Sequence, residues 1–255
     1  MTLPPLVVQG LSRKYEGRPA VRELSFSVAA GEILGLVGPN GAGKTTTLRS
    51  VAGVLPLQEG RVVVGGHDLE AEELDAKRSL AYVPDDPTPF EVLTIREHLE
   101  FTARLYGLND WAARGDDLLD RFDLADRSDA LGSELSRGMR QKLAFCCAWL
   151  ADPNVVLLDE PLSGLDPRGI RSARRAIAEL RDRGAAVVLS SHLLELIEAA
   201  ADRILILDGG RKVFEGTLAD AREAVSLTDG HSLEEIFFAA TGEDERAADP
   251  ADATE

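Results

Sequence analysis

The sequence predicts an α/β fold in which a mostly parallel β-sheet is covered by helices on both faces. Short β-rich segments alternate with helical segments through the second half of the chain, which is the pattern of βαβ units. The segment VVLLDE at residues 155–160 is apolar up to its two terminal acids, which is typical of a central strand buried on both sides. A helical block at about residues 90–150 interrupts the alternation and indicates an inserted subdomain.

The chain starts with strands. The segments LVVQGL, ELSFSV and EILGLVG are short and β-rich, and Gly, Pro and charged residues separate them. TTTLRSVAGVL follows with helical periodicity, and Gly53 and Pro56 end this helix. RVVVGG and LAYVPDD are two further strands. EILGLVG and TTTLRSVAGVL therefore form the first strand–helix unit of the predicted core.

The helical block contains TIREHLEFTARLYG, WAARGDDLLDRF and MRQKLAFCCAWLA. After VVLLDE come the helix PRGIRSARRAIAELRDRG, the strand AAVVLSS, the helix HLLELIEAAADR and the strand ILILDGG; RKVFEGT and ADAREAV close the core. We interpret residues 1–241 as one domain, with a short helical extension at about 217–241 that includes the amphipathic SLEEIFFAATG. Residues 242–255 are charged and lack aromatic residues, which predicts a disordered acidic tail.

The charge balance narrows the classes of partner. The 255 residues include 28 Lys and Arg against 44 Asp and Glu, a formal net charge of −16. Such a chain has no general attraction for a phosphate polymer, which argues against nucleic acid as the main partner. It also repels a bare anionic lipid surface, so we expect it to attach to a membrane only through another protein.

Three further features bear on the cellular location. The N-terminal MTLPPLVVQG lacks the basic and apolar regions of a signal peptide, and no stretch approaches the roughly 18 apolar residues of a membrane helix. Adjacent Cys146 and Cys147 have neither metal-site spacing nor the geometry of an ordinary disulfide, so we assign them to core packing. We expect a cytoplasmic protein, without membrane insertion of its own.

One segment predicts a nucleotide-binding site. Residues 38–45, GPNGAGKT, match G-x-x-x-x-G-K-[ST] between an apolar strand and a helix, the context that a phosphate-binding loop requires. Its glycines let backbone N–H groups converge on phosphate oxygens in front of a helix dipole. Lys44 is expected to reach the β- and γ-phosphates, and the Thr45 hydroxyl to bind Mg²⁺. The alternative is a tight glycine turn with a solvated lysine.

Two acids end the strand VVLLDE. In open α/β sheets, the carboxyl ends of the strands border the crevice that holds the ligand. Asp159 is therefore a candidate second anchor for Mg²⁺, and Glu160 is placed to orient or deprotonate an attacking water. The alternative is a polar strand end with no catalytic role.

The remaining motifs are informative about function because of the order in which they occur along the chain. They are, along the chain, RKYEG with Tyr15, LSRGMRQ at residues 135–141, SGLDP at residues 163–167, and AAVVLSS followed by His192. Together with the phosphate loop, this succession resembles the ABC ATPases, whose signature motif is LSGGQ-like, from about Leu6 to Gly242. The resemblance implies the ABC-ATPase variant of the P-loop NTPase fold, with an N-terminal antiparallel β subdomain and an inserted helical subdomain.

The resemblance also implies a role for each matching residue. Tyr15 stacks on adenine, His192 contacts the γ-phosphate, and Asp166 reaches across to a second subunit. Ser136 and Gly138 bind the γ-phosphate of the nucleotide that the second subunit holds. The nucleotide is bound by Gly38, Pro39, Asn40, Gly41, Ala42, Gly43, Lys44, Thr45 and Thr46. Simpler roles stay open: a surface aromatic for Tyr15, a helix start for His192, and helix caps for Ser136 and Asp166.

The implied activity is hydrolysis of ATP with Mg²⁺, in which Lys44, Glu160 and His192 are the catalytic residues. Phosphoryl transfer depends on positioning and charge neutralisation, so a site shared between two subunits requires a dimer closed around two ATP. The second subunit is another copy of the chain or a related ATPase subunit. Closing and opening of the dimer would drive an integral membrane permease on the cytoplasmic face of the cell membrane.

Two positions depart from the family pattern. Asp85 follows the strand LAYVP where Gln is usual; that Gln helps to bind Mg²⁺ and the water, and its loop contacts the membrane partner. Aspartate is also a hard oxygen ligand, so Asp85 remains a candidate for the metal site. Arg137 occupies a signature position where Gly is commoner. With LEFTARLYGL and SLEEIFFAATG, these features resemble the branch that pairs with separately encoded export permeases.

Two other classes of function stay open. Soluble ABC ATPases that act on ribosomes or DNA usually carry two cassettes with basic linkers, or a cassette split by a coiled coil, whereas this chain has one uninterrupted cassette and is acidic. A regulatory ATP-binding switch is the second class, which Asp85 motivates. The residues that hydrolysis needs, Lys44, Thr45, Glu160 and His192, are all present.

Overall fold

The computed structural model describes residues 3–224 together with Leu233 and Glu235. Its strands are β1 Leu6–Tyr15, β2 Arg18–Val28, β3 Ile33–Val37, β4 Glu59–Val64, β5 His67–Asp68, β6 Leu80–Val83, β7 Val155–Asp159, β8 Ala186–Ser190, β9 Arg203–Asp208 and β10 Arg211–Gly216. Its helices are α1 Lys44–Val51, α2 Glu73–Arg78, α3 Ile95–Tyr106, α4 Ala112–Arg121, α5 Arg137–Leu150, α6 Pro167–Asp182, α7 Leu194–Ala200 and α8 Leu218–Ala224. Short 3₁₀ turns lie at Ala125–Arg127 and Gly132–Glu134.

The larger sheet confirms the predicted parallel core. Its strand order is β10-β9-β3-β8-β7-β6, and every neighbouring pair except β9–β10 is parallel. Along β3, Ile33 and Val37 face one hydrophobic cluster, whereas Leu34 and Leu36 face another. Because both faces are buried, the inner strands do not alternate with polar residues, and their polar residues, such as Asp159 and Ser190, lie only at strand ends.

Helices α3 to α7 cover one face of this sheet, and α1 covers the other. Helix α7 packs closely on β3, because a Cβ atom on Gly35 would lie only 2.4 Å from Cγ2 of Ile197. A larger residue at position 35 would therefore push α7 outward. The predicted helix at HLLELIEAAADR is shorter than its sequence pattern, since α7 begins at Leu194.

The second sheet confirms the expected antiparallel β subdomain. Its order is β2-β1-β4-β5, and all of its pairs are antiparallel. Its inner residues share the cluster of α1, which joins this sheet to the parallel core. The two-residue strand β5 and the short polar helix α2 were not predicted, because segments of this length carry too little hydrophobic periodicity.

Side chains cap the starts of α3 and α5 in the helical block. Thr94 and Glu97 form a capping box at the start of α3, and Ser136 caps α5 through a hydrogen bond from Met139 N. Inside the block, Phe122 stacks on Phe145 with ring centroids 5.5 Å apart. The division into one domain with an inserted helical subdomain remains our interpretation of this arrangement.

Two expectations concern the C-terminal residues, of which the structure describes only a part. The predicted extension at 217–241 is described in part, as α8 and as the two separate residues Leu233, which is buried, and Glu235. The predicted acidic tail at 242–255 lies outside the described residues.

Cys146 is buried and Cys147 is half-buried, and both are unpaired, as core packing predicts. Within the described part of the chain, no helix is long and apolar enough to span a bilayer.

Candidate nucleotide-binding site

The loop at residues 38–43 joins β3 to α1 and has the shape of an anion cradle. Gly43 adopts the left-handed conformation with φ 103°, and a Cβ atom there would lie 2.4 Å from the Ala20 carbonyl oxygen. Glycine is therefore required at this position. Gly43 is also the N-cap of α1, where no side chain caps the helix and no acid occupies the first turn. The N–H groups of this first turn thus favour an anionic ligand.

The Lys44 ammonium group lies over the cradle. Its Nζ donates hydrogen bonds to the main-chain oxygens of Gly38 at 2.6 Å and Pro39 at 3.1 Å. Burial lowers the pKa of Lys44, and the negative charges of Glu160 and Asp159 oppose this shift. The neighbouring loop residues complete the cradle, with Ala42 buried and Asn40 exposed.

Asp159 is the centre of a buried hydrogen-bond network. Its Oδ1 accepts from Ser190 Oγ at 2.8 Å and from Thr45 Oγ1 at 3.2 Å, and its Oδ2 accepts from the Tyr82 hydroxyl at 3.3 Å. Only 1% of Asp159 is exposed. Burial, followed by the charge of Asp159, raises the pKa of Tyr82 to about 12. The network joins the carboxyl ends of β6, β7 and β8 to the start of α1.

Thr45 and Asp159 together offer the oxygen ligands that a hard cation prefers. No three His, Cys, Asp or Glu side chains within the described residues form a cluster that could hold a metal ion. A cation between Thr45 and Asp159 would therefore take its other ligands from phosphate oxygens and water, as Mg²⁺ commonly does in nucleotide sites. The donor set fits that ion.

Glu160, the residue after Asp159, has a strained backbone conformation. Its φ of +48° is in the left-handed region, which non-glycine residues rarely adopt and which often marks functional positions. Its Oε2 accepts from the backbone N–H of His192 at 3.1 Å, lies 2.7 Å from His192 Nδ1, and accepts from Ser191 Oγ at 3.4 Å. The carboxylate is thus held by the end of β8, while the His192 side chain is mostly exposed.

The signature segment lies apart from this network. Ser136 is exposed, and its hydroxyl accepts from Met139 N at 3.3 Å as the cap of α5. A Cβ atom on Gly138 would lie 2.7 Å from the Gly164 carbonyl oxygen, so α5 packs closely on the SGLDP turn. Among the described residues, no hydrogen bond or ion pair joins Ser136 or Gly138 to Lys44, Asp159 or Glu160.

Asp166 and Tyr15 have local partners. Asp166 caps α6, with Oδ1 accepting from Gly169 N at 2.8 Å, and this hydrogen bond and the nearby Lys142 lower the pKa of Asp166. Tyr15, at the end of β1, is 45% exposed, and the Arg13 guanidinium carbon lies 5.0 Å from its ring centroid. The cap that the sequence suggested for Asp166 is therefore formed; its reach to a second subunit and the adenine role of Tyr15 stay predictions.

Asp85 has a partner that the sequence did not suggest. Its Oδ1 accepts from Arg137 Nη2 at 3.1 Å, and no described contact joins it to Thr45 or Asp159. Its role as a metal ligand stays a prediction. Sequence reasoning also missed Tyr82 and Ser190, which touch Asp159. Their strand-end positions were a signal, but only the strand order shows that β6 and β8 flank β7.

Comparisons with known proteins point in one direction. The family model described as "ABC transporter" matches residues 21–163. The chain is 34% identical to the ABC-type transporter ATP-binding protein EcsA of Bacillus subtilis, over 94% of this chain and 97% of that protein. It is 34% identical to the Nod factor export ATP-binding protein I of Burkholderia orbicola, over 85% and 72%. A solved ATP-binding subunit of an ABC transporter superposes with a TM-score of 0.88 at 35% identity, over 92% and 98%.

Proposed function

Because this chain belongs to the ABC transporter ATP-binding family, we propose that it forms a dimer around two ATP molecules and drives a permease that exports its substrate. The family consists of ATPases that hydrolyse ATP to power transport through membrane permeases, so ATP is the substrate of the site. The observation that carries the proposal is the convergence of Lys44 and Thr45, at the start of α1, with Asp159 and Glu160, at the end of β7.

Each residue of this cluster has a chemical task. Lys44 and the start of α1 neutralise the β- and γ-phosphates, and the residues from Gly38 to Thr46, apart from Pro39, which has no N–H, supply the surrounding backbone donors. Glu160 accepts a proton from the attacking water, and His192 holds the Glu160 carboxylate in place and faces the γ-phosphate. Tyr15 lies at the end of the hairpin whose β2 strand touches Gly43, so it is the candidate platform for adenine.

Thr45 and Asp159 would hold Mg²⁺, with Asp85 as a further candidate ligand. The ion would neutralise charge on the phosphate oxygens and orient them for in-line attack. Asp159 already accepts from Thr45, Ser190 and Tyr82, which fixes its carboxylate before any ion arrives. In this structure Asp85 Oδ1 accepts from Arg137 Nη2.

The dimer completes the site. Ser136 and Gly138 form an exposed helix start without an acid in its first turn, which suits the γ-phosphate of a nucleotide held by another copy or a related subunit. Asp166 lies beside α5, since its Oδ1 is 3.5 Å from Lys142 Nζ. A γ-phosphate that contacts both chains would hold the dimer closed, and its release would let the dimer open.

The export direction rests on relatives. The Nod factor export protein matches 85% of this chain, and its name states export. The permease would dock in a groove of about 620 Å³ between α3, α5 and the loop after β6, which includes Pro87, Tyr106 and Ala144. Exposed apolar residues beside it, such as Val54 and Phe90, suit a protein partner. The chain would then lie on the cytoplasmic face of the membrane.

The test is Glu160→Gln, which keeps the shape of the side chain and removes the base. We expect retained ATP binding, a loss of turnover of at least about 100-fold, and an ATP-dependent doubling of the mass in size-exclusion chromatography with light scattering. Glu59→Gln, an exposed position on β4, is the matched control and should behave like the parent. Parent-like turnover in Glu160→Gln would rule out the assigned base.

A further inference from the structure

The start of α5 is tied to two loops by one arginine. Arg137 Nη2 donates to Asp85 Oδ1 at 3.1 Å, in the loop after β6, and to Ser163 Oγ at 2.8 Å, in the turn after β7. Both members of the ion pair are about half exposed, with 50% of the Arg137 side chain and 49% of the Asp85 side chain accessible. The carbon atoms of Arg137 also lie against Gly164, where a Cβ would be 3.2 Å from Arg137 Cδ.

A second residue one turn later repeats the pattern. Gln141 Nε2 donates to the main-chain oxygen of Pro161 at 3.3 Å and lies 3.5 Å from that of Pro84. Gln141 is fully buried, so it forms the inner bond to each loop, while Arg137 forms the outer one. Residues 137 and 141 face the same side of α5 because they are four positions apart.

The segment around Arg137 is the part of α5 that the proposed function assigns to the second nucleotide. Ser136 and Gly138 flank Arg137, and Gly138 lies against the Gly164 carbonyl. The loop after β6 also lines the groove assigned to the permease, where Asp86 pairs with Arg140 at 3.2 Å. Two adjacent carboxylates, Asp85 and Asp86, thus pair with two arginines on one face of α5.

We propose that Arg137 and Asp85 are a pair of positioning residues that holds the Ser136–Gly138 half-site at a fixed place relative to the loops after β6 and β7. The two departures from the family pattern then depend on each other. Arg137 is unfavourable at a helix start, since its charge has the same sign as the helix dipole there. Asp85 offsets that charge, so either residue without the other leaves an uncompensated charge beside the half-site.

This inference rests on the proposed function, because it concerns the half-site that a dimer would use. It differs from the metal-ligand prediction for Asp85 in one testable respect. If Asp85 is a metal ligand, Asp85→Arg removes that ligand whether or not Arg137 is also changed. If Asp85 and Arg137 form an ion pair, reversal of both charges restores the attraction.

The experiment is a double-mutant cycle on the full chain with Asp85→Arg, Arg137→Asp and the double variant. We expect each single reversal to lower kcat by about fivefold or more and to change the KM for ATP by less than about twofold. The double reversal should lower kcat by only about fivefold, against the roughly 25-fold product of the single losses, because it restores the ion pair but Arg137→Asp puts an acid in the first turn of α5. A coupling of about fivefold corresponds to about 1 kcal/mol, the upper range for an exposed ion pair.

A matched control is the Arg96–Asp116 ion pair between α3 and α4, whose side chains are exposed to a similar degree. Arg96→Asp, Asp116→Arg and their double variant should keep the kcat of the parent, which separates a positioning role from general loss of surface charge. The proposal is overturned if the single reversals at 85 and 137 leave kcat unchanged, or if the double variant loses the product of the two single losses.

Two further measurements keep the result unambiguous. If a reversal lowers the melting temperature so far that the chain unfolds, the milder cycle of Asp85→Asn and Arg137→Gln replaces it, with a coupling of at least about twofold expected. Ser136→Arg distinguishes a failure of the shared nucleotide site from a failure of the positioning pair alone. If it leaves ATP turnover at the rate of the parent, the shared site is wrong; if it abolishes turnover while the cycle shows no coupling, only the positioning pair is wrong.

Discussion

The two halves of the proposed site are built in different ways. The half around Asp159 is formed at strand ends, with Asp159 and Ser190 almost entirely buried and bonded to each other. The half around Ser136 is an exposed helix start that side-chain contacts from Arg137 and Gln141 hold in place. The first half is complete within one chain, whereas the second lies on the surface of the chain.

This difference has a physical consequence. Buried strand ends fix charged groups without a ligand, because the sheet determines their spacing and neighbouring hydroxyls satisfy them. An exposed helix start makes few contacts within its own chain, so its contribution to the site depends on the nucleotide that a second chain brings to it. We therefore expect variants in the first half to impair nucleotide binding or chemistry in the chain that carries them, and variants in the second half to act only through the dimer.

The largest expected effect is in the first half. Lys44→Ala removes the ammonium group that would contact two phosphates, and we expect kcat/KM for ATP to fall about 1,000-fold, or about 4 kcal/mol. Steady-state ATPase assays and equilibrium nucleotide binding measure this effect. Lys77→Ala, in an exposed pair with Glu73 on α2, is the control and should stay within about twofold. A loss below about tenfold for Lys44→Ala would contradict the assignment of the cradle.

A mixing experiment sharpens the comparison between the halves. Glu160→Gln and Ser136→Arg should each be nearly inactive, but a mixed dimer pairs the intact Glu160 of one chain with the intact Ser136 of the other. After subunit exchange, an equimolar mixture should recover up to about a quarter of the parent ATPase activity, since half of the dimers are mixed and each has one intact site.

The control mixture combines Glu160→Gln with Lys44→Ala. Both changes affect the same half, so every site in every dimer keeps one defect and no recovery is expected. Equal recovery in both mixtures, or none in either, would mean that Ser136 and Glu160 do not act from different chains.

The smallest expected effect concerns the buried half. The pKa of Tyr82 is raised to about 12 in the folded chain, while an unfolded tyrosine loses its proton near 10. Between pH 10 and 12 the unfolded state therefore binds fewer protons, so this contribution to stability is present below pH 10 and is lost as the pH rises through 12. Tyr82→Phe removes this contribution to the pH dependence of stability.

Urea unfolding at pH 8 and pH 11 measures this effect. We expect the parent to lose more free energy of unfolding between the two pH values than Tyr82→Phe does, by on the order of 1 kcal/mol or less, because solvent screens a half-buried group. At pH 8 the two proteins should differ only by the hydrogen bond from Tyr82 to Asp159. Equal losses in both proteins would show that Tyr82 is not in the low-dielectric setting that its burial indicates.

Much of the fold was predictable from local sequence patterns. Apolar runs such as VVLLDE predicted the buried strands, and GPNGAGKT between a strand and a helix predicted the cradle with Lys44 and Thr45. These signals are local, since hydrophobic periodicity and glycine spacing act over a few residues. Short polar elements such as α2 carry no such signal and were missed.

The sequence by itself determined which residue types the candidate nucleotide site contains, because a glycine loop, a lysine and two strand-end acids are each recognised from a local pattern. The tertiary structure alone decided which distant residues become partners. Ser190 and Tyr82 reach Asp159 only because β8 and β6 flank β7, and Arg137 reaches Asp85 across 52 positions of the chain only because α5 packs beside the loop after β6. Such pairings depend on the order of strands and on helix packing, which the residues at either end do not encode.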